Sequence, residues 1–492
     1  MGIWGRHKLF ATILVYYNPT NPRYLWEHFE QDMSSDFQLT EDSQSNQQIV
    51  YNLVLEKIFS NQSAAFFIDG PGGTEKTFLY KALLATIRSR HLIALATASS
   101  GVAASILPGG RTAHSRFKIP LDSNKNSICS VSKQTPMSRK EAIEALDRML
   151  KDVNDSELSF GGKVVIFGGD FRQILPVVPK GTRQQQIDAS LVSSYLWPTL
   201  TKICLTENMR ARLDPDFSNY ILELGNGMPP ITIDDYVKIP TTMLIPYQND
   251  TTSLDQLLDA VFNDISEYSA NISNMMNHAI LTPKNSYVDE INNLLIQRFP
   301  GDIKQYYSFD ETIDASEQAI MEDFLNTLTP NGFPPHQLLL KQNCPIMLLR
   351  NINPSEGLCN GTRLICRNFD HNVIHAEIAI GHQTGKKVFI PRIPFLPKSD
   401  ENSGFPFKRT QFPIRLSFAM SINKSQGQTL DFVGIYLPQP VFSHGQLYVA
   451  LSRAKTISEV KILIRPISME EPENNSTKNI VYTELLSIAA SD

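Results

Sequence analysis

The chain has 492 residues, 42% of them hydrophobic and 19% charged. At about 100–200 residues per domain that length predicts two to four domains with sizeable cores, and the composition excludes a disordered tail. Lys plus Arg number 45 and Asp plus Glu 50, a net charge of −5, which excludes a uniformly basic nucleic-acid binder but permits a local basic channel.

The five cysteines, Cys129, Cys204, Cys344, Cys359 and Cys366, are odd in number, widely spaced and without a C-x-x-C pair. They read as reduced thiols of a cytosolic or nuclear protein, not as a disulfide framework or a zinc site. No apolar run reaches the roughly 18–20 residues that span a bilayer, so no membrane partner is expected. The run 9–17 reads as a buried strand rather than a signal-peptide core, because Asn18-Pro19 follows it and no small-residue cleavage site does.

Along the chain, residues 1–37 form an apolar and aromatic preamble. A helix-like stretch with Gln47, Tyr51, Leu53 and Leu55 comes next, then a buried strand over 64–68 that runs into a glycine-rich turn. The apolar runs 92–98 and 164–167 predict further strands, and strands alternating with helices predict a parallel sheet covered on both faces. A second such series starts at 279–281 and resumes at 432–437 and 460–464. Between them, residues 351–412 carry short β-like runs with many Pro and Gly, which predicts a small β insert. Residues 467–478 are rich in Glu, Asn and Pro and read as surface.

The turn after the first strand is Gly70-Pro71-Gly72-Gly73-Thr74-Glu75-Lys76-Thr77. A strand, a glycine-rich loop, then Lys and Thr opening a helix is the arrangement that binds a polyphosphate. Loop N–H groups and the helix N-terminus take the β-phosphate, Lys76 balances charge and the Thr77 hydroxyl suits Mg²⁺. One position departs: the pattern asks for glycine where the chain has Glu75. A carboxylate about 5 Å from a phosphate charge costs roughly 3 kcal/mol at an effective dielectric near 20, or about 100-fold in affinity.

Five further strings carry a resemblance. They are Thr97 to Ala104 with Gly109 to Ser115, then Phe167 to Val177, Leu205 to Arg210, Ala419 to Leu430 and His444 to Ala454. In that order they resemble the motifs of the petite-integration-frequency (Pif-type) DNA helicases of superfamily one, over roughly residues 39–465. The opening, Leu9 through Trp26, is similar to the segment before the helicase of Helitron transposon proteins.

The resemblance implies an α/β fold of two RecA-like P-loop domains with parallel sheets, plus a small β-barrel-like insert in the second. It implies boundaries at 1–37, 38–200, 201–350, 351–412, 413–466 and a tail 467–492. It implies an ATP-dependent 5′–3′ DNA helicase using ATP and Mg²⁺, serving recombination, repair, telomere maintenance or transposition. The expected partners are single-stranded DNA and duplex junctions, for a monomer in the nucleus, with the mitochondrion as a second compartment.

By motif, Gln47 reads adenine, Gly70 to Thr77 hold the triphosphate, Gln173 senses the γ-phosphate, and Arg210 and Arg453 approach it from across the cleft. Such an arginine is worth about 10³–10⁵ in rate where measured. Ser99, Ser100, Thr112, Ser425 and Gln426 fall in strand-gripping motifs, and His114 and Phe117 are candidates for base stacking. For Phe117 a core aromatic is the competing reading.

The same resemblance exposes a gap. The family places a strand ending Asp-Glu-Ala between its second and third motifs, and no such string occurs here. Thr135 is followed directly by Pro136, so about 15–20 residues, one helix-to-strand piece, are missing at 135/136. Asp170 is the candidate replacement carboxylate for the metal, and Glu141 and Glu144 read as a solvated helix face. The alternative function is therefore a catalytically impaired, transposon-derived DNA-binding remnant. A small-molecule P-loop kinase is disfavoured by the Gln426 to Thr429 and Ala450 to Arg453 strings.

Overall fold

The computed structural model describes residues 46–98, 101–117, 139–178, 180–206, 214–228, 231–232, 235–263, 265, 272–312, 318–330, 332–380, 383–396, 407–466 and 475–490. The chain divides into two compact units, 1–54 and 55–492. Of the first, the described part is the opening of the Asn46–Phe59 helix, which confirms the helix expected there. The join at 135/136 and the preamble lie outside the described residues.

The first lobe is built on the strand Ala64–Asp69, whose apolar run buries Phe66, Phe67 and Ile68. It pairs in parallel with Val164–Gly169 on one side and Thr201–Cys204 on the other. The Lys76–Ser89 helix that follows buries Leu79, Leu83, Leu84 and Ile87, the one-face spacing of an amphipathic helix. On the lobe's other aromatic seam, Phe67 meets Trp197 edge-on at 4.9 Å and stacks on Phe171 at 5.2 Å. Residues 201–204 thus belong to the first sheet, not to the second domain as the boundary at 200/201 had it.

The run 92–98 does not form the expected sheet strand. Only Thr97–Ala98 is extended, paired in parallel with Arg111–Thr112, and Ile93 is 89% exposed and Leu95 55%. The physical reason lies beside it. The first sheet has three strands, in the order Val164–Gly169, Ala64–Asp69, Thr201–Cys204, and the outer edge of Val164–Gly169 has no ladder partner among the described residues. Side chains of Val164–Gly169 are half-buried or exposed, whereas the centre of Ala64–Asp69 is buried. With no described strand at that edge, the run has no ladder there to extend, and it stays at the surface.

The second lobe is a four-stranded parallel sheet, Ala419–Ser421, His278–Thr282, Phe432–Leu437 and Val460–Ile464. Its strands read as continuous apolar runs because helices cover both faces, and Ala279, Ile280 and Leu281 are wholly buried. The β insert is larger than 351–412. Its antiparallel strands begin at Lys304–Tyr307 and Phe309–Thr312 and end at Ile414–Leu416. Five of them form one sheet and three another. The buried Asp310–Arg409 pair, with Arg409 Nη2 2.6 Å from Asp310 Oδ2, fixes the second of these sheets.

The C-terminal stretch is part of the fold rather than a surface tail. Ser476–Lys478 pairs with Tyr236–Lys238, and Tyr482 and Leu485 are buried in the first lobe's core with Trp197. No described helix is long and apolar enough to cross a membrane.

Candidate phosphate-loop site

The loop Gly70 to Glu75 leaves the end of Ala64–Asp69 and feeds the Lys76–Ser89 helix. The Gly70 N–H donates to the Gly169 carbonyl (3.3 Å), and Thr74 closes the turn on the Pro71 carbonyl through its N–H (3.3 Å) and hydroxyl (3.0 Å). Glu75 is the helix N-cap and sits in the left-handed region at φ 52, ψ 37, with no side-chain cap bond. That conformation suits glycine and costs a side-chain-bearing residue roughly 1 kcal/mol. Lys76 folds back so that its ammonium donates to the carbonyls of Gly70 and Pro71, the latter at 3.2 Å.

Two carboxylates flank the loop. Asp69 ends the strand, with Oδ2 3.6 Å from Arg172 and a buried Oδ1 that has no hydrogen-bond partner among the described residues. Burial first, and Asp170 second, push its carboxyl up, against the pull of Arg172 and Lys76. Asp170 is almost fully buried. It accepts from the Arg172 N–H (3.1 Å), Gln173 Nε2 (3.0 Å) and the Tyr448 hydroxyl (2.8 Å).

The second lobe meets this cluster through the helix Gln446–Leu451. The Tyr448 hydroxyl also accepts the Gly72 N–H at 2.7 Å, and Gln426 Nε2 donates to Gln173 Oε1 at 2.7 Å. At Gly445, φ is +71 and an added Cβ would lie 2.2 Å from the Arg172 carbonyl oxygen, so only glycine permits this approach of the two lobes.

His444 beside it locks the C-terminal segment. Its Nδ1 accepts the Tyr482 N–H (2.9 Å), which leaves Nε2–H to donate to the Phe171 carbonyl (2.7 Å). Burial holds its imidazole below the ordinary histidine range, against the opposing pull of the Phe171 carbonyl and Asp170. The unfolded chain gains this proton near pH 6.5 and the folded chain only lower. The stability attached to His444 is therefore full above about pH 6.5 and declines as pH falls below it. Thermal melts at pH 7.5 and 5.5 should show an acid-induced loss that His444→Gln reduces, because glutamine has no group to protonate in this range. An identical loss in both chains would refute this role.

The structure brings together the loop, Asp170, Gln173 and Gln426, but not every expected group. Arg453 is buried, its guanidinium donating to the carbonyls of Val449 (2.9 Å) and Gln428 (2.9 Å) of its own lobe. Ser425 turns its hydroxyl inward to the Ile422 carbonyl (2.8 Å). Phe117 packs against Ala142 and Leu146, in keeping with the core reading, and Thr112 lies in its two-residue strand. Gln47 is in the first turn of its helix. Ser99, Ser100 and Arg210 lie outside the described residues, as does the side chain of His114.

Glu144 is not simply solvated, since it accepts from the Ser194 hydroxyl at 2.7 Å. Sequence reasoning missed Asp69, Arg172 and Tyr448. The first was legible as a carboxylate at a strand end, and Tyr448 stood inside the last motif.

The donor set fits a polyphosphate, through loop amides at a helix start together with Lys76. It does not fit Mg²⁺ as it stands. Asp170 is taken up by Arg172, Gln173 and Tyr448, Asp69 faces Arg172, and no group of three or more His, Cys, Asp or Glu among the described residues is placed to hold a metal.

Two parallel-sheet lobes closed over a phosphate loop, with a β insert in the second, define a RecA-like P-loop protein of the two-lobed kind. The family model described as PIF1-like helicase matches residues 42–139 and 134–234, and the Pif1 2B-domain model matches 323–369. The two PIF1-like matches overlap over residues 134–139. The ATP-dependent DNA helicase PIF1 of Danio rerio is 26% identical over 444 residues, covering 83% of this chain and 60% of its own length. The chain thus spans about 60% of that relative.

The Pif1 helicase of Candida albicans has the same fold (TM-score 0.61, 21% identity, 91% of this chain and 98% of that one). So does a structure described as two coordinating Pif1 helicases unwinding forked duplex DNA (TM-score 0.59, 23% identity, 90% and 100%). The chain is thus similar to PIF1-like helicases over residues 42–234 and, in the insert, over 323–369.

Proposed function

We propose that the chain is an ATP-dependent DNA helicase of the Pif1 kind, moving 5′ to 3′ on single-stranded DNA by closing its two lobes on a nucleotide. One observation carries this reading: the phosphate loop faces the Gln446–Leu451 helix of the other lobe in direct contact, Gly72 to Tyr448. It sets the second lobe against the loop that receives the nucleotide. Bound ATP supplies the phosphoanhydride whose hydrolysis drives the cycle. Gly72, Gly73 and Lys76 hold its phosphates, and Gln173 links them to Gln426 on the DNA side.

Grip on DNA by backbone and stacking contacts is sequence-independent, as a motor on any strand needs. Nuclear work at DNA junctions, with a Helitron-like origin, completes this reading. A single-copy state has no support, because a related structure is described as two coordinating helicases.

A second reading, a DNA-binding chain with impaired turnover, is favoured by Glu75 and by the three-stranded first sheet. Separation of a forked duplex and DNA-stimulated ATP hydrolysis decide between them. Activity that Lys76→Ala abolishes establishes the helicase. Tight single-strand binding with no turnover establishes the second reading, and neither binding nor turnover sinks both.

A further inference from the structure

The Tyr448 hydroxyl of the Gln446–Leu451 helix is hydrogen-bonded to both the phosphate loop and the Asp170 segment. We propose that Tyr448 is a positioning residue that latches the second lobe onto the phosphate loop, and that a nucleoside triphosphate must displace its hydroxyl from the Gly72 amide. This rests on the nucleotide-site reading above.

The hydroxyl uses both of its capacities. It donates to Asp170 Oδ2 at 2.8 Å and accepts the Gly72 N–H at 2.7 Å. Its placement is fixed, because the side chain is buried and the ring lies against Gly225, where an added Cβ would be 2.7 Å from a ring carbon. The Gly72 N–H belongs to the set that a phosphate loop turns toward an anion. An anionic phosphate oxygen is a stronger acceptor than a neutral phenol, so the nucleotide wins that N–H at the expense of the latch.

The event is transmitted further. Asp170 also accepts from Gln173, and Gln173 accepts from Gln426. Loss of the tyrosine bond therefore alters the same short chain that ends at a candidate DNA residue.

The test uses the full chain and Tyr448→Phe, which keeps the ring and removes both hydrogen bonds. In the nucleotide-free proteins, amide hydrogen exchange of the peptide containing Gly72 should quicken about tenfold in the variant, with core strands unchanged. Titration with a fluorescent mant derivative of the non-hydrolysable analogue AMPPNP should show about tenfold tighter binding to the variant.

Damage from a merely structural tyrosine would weaken binding, so the gain is diagnostic. Unchanged exchange at Gly72 overturns the latch. Faster exchange with unchanged or weaker binding overturns the competition with nucleotide. If neither chain binds the analogue, the nucleotide-site reading fails, and the exchange result alone decides whether the latch exists.

Discussion

In Glu75→Gly the affinity for ATP should rise at least about 100-fold over the unmodified chain. Two terms add. Removing a carboxylate about 5 Å from the phosphates removes roughly 3 kcal/mol of repulsion at an effective dielectric near 20. Replacing a side-chain-bearing residue at φ 52 also lets the loop flex around the anion without strain.

Fold stability should barely change. The strain relieved, about 1 kcal/mol, is offset by the larger unfolded-state entropy of glycine, about 0.5–1 kcal/mol. Glu75→Gln separates the terms. It keeps the bulk and the left-handed conformation but removes the charge, so it should recover most of the gain. Equilibrium titration of the three chains with an ATP analogue checks this. A change under about threefold in Glu75→Gly would show that Glu75 turns away from the bound nucleotide, and the charge argument would fail.

The loop was legible because its chemistry is local: Gly70 to Thr77 are consecutive, and the strand and helix that hold them flank them directly. The parallel sheets were legible for the same reason, from runs such as Phe432–Leu437. What sequence could not display was contact at a distance. Tyr448 stands within a recognised motif, yet nothing in its neighbourhood says that its hydroxyl reaches Gly72 and Asp170. Ser425 and Arg453 were assigned outward roles from their motifs, yet the Ser425 hydroxyl and the Nε and Nη1 of Arg453 donate to nearby carbonyls of their own lobe.

Boundaries failed where strands are short and polar. Lys304–Tyr307 (Lys-Gln-Tyr-Tyr) and Phe309–Thr312 (Phe-Asp-Glu-Thr) contain no aliphatic residue, so the β insert looked shorter than it is. The segment 467–478 looked like surface from its Glu, Asn and Pro content, although in its described part Thr477 is buried. The run 92–98 is the instructive miss. Its composition reads as a core strand, but a strand needs a neighbour, and Val164–Gly169 has none on its outer edge among the described residues.

Inserting a family-type strand ending Asp-Glu after Thr135, in the Glu75→Gly background, should raise DNA-stimulated ATP hydrolysis by at least about 10³-fold, because a carboxylate pair would then order the metal and the attacking water. The same insertion should raise stability. The outer edge of Val164–Gly169 would gain a ladder, and Leu92, Ile93 and Leu95, now 44%, 89% and 55% exposed, would gain a sheet to pack on. At about 1.5–3 kcal/mol for each fully buried side chain, discounted for incomplete burial and for ordering the new segment, a net few kcal/mol is expected. That corresponds to roughly 5–10 °C in Tm for a domain of this size.

An insert ending Asn-Gln separates structure from chemistry. It should give the same rise in Tm and leave hydrolysis at the level of Glu75→Gly alone. A gain in turnover with the Asn-Gln strand would place the catalytic carboxylate elsewhere, with Asp69 the nearest candidate. No rise in Tm with either insert would mean that the edge of Val164–Gly169 is not the vacated position, and the deletion would have to be sought in another part of the sheet.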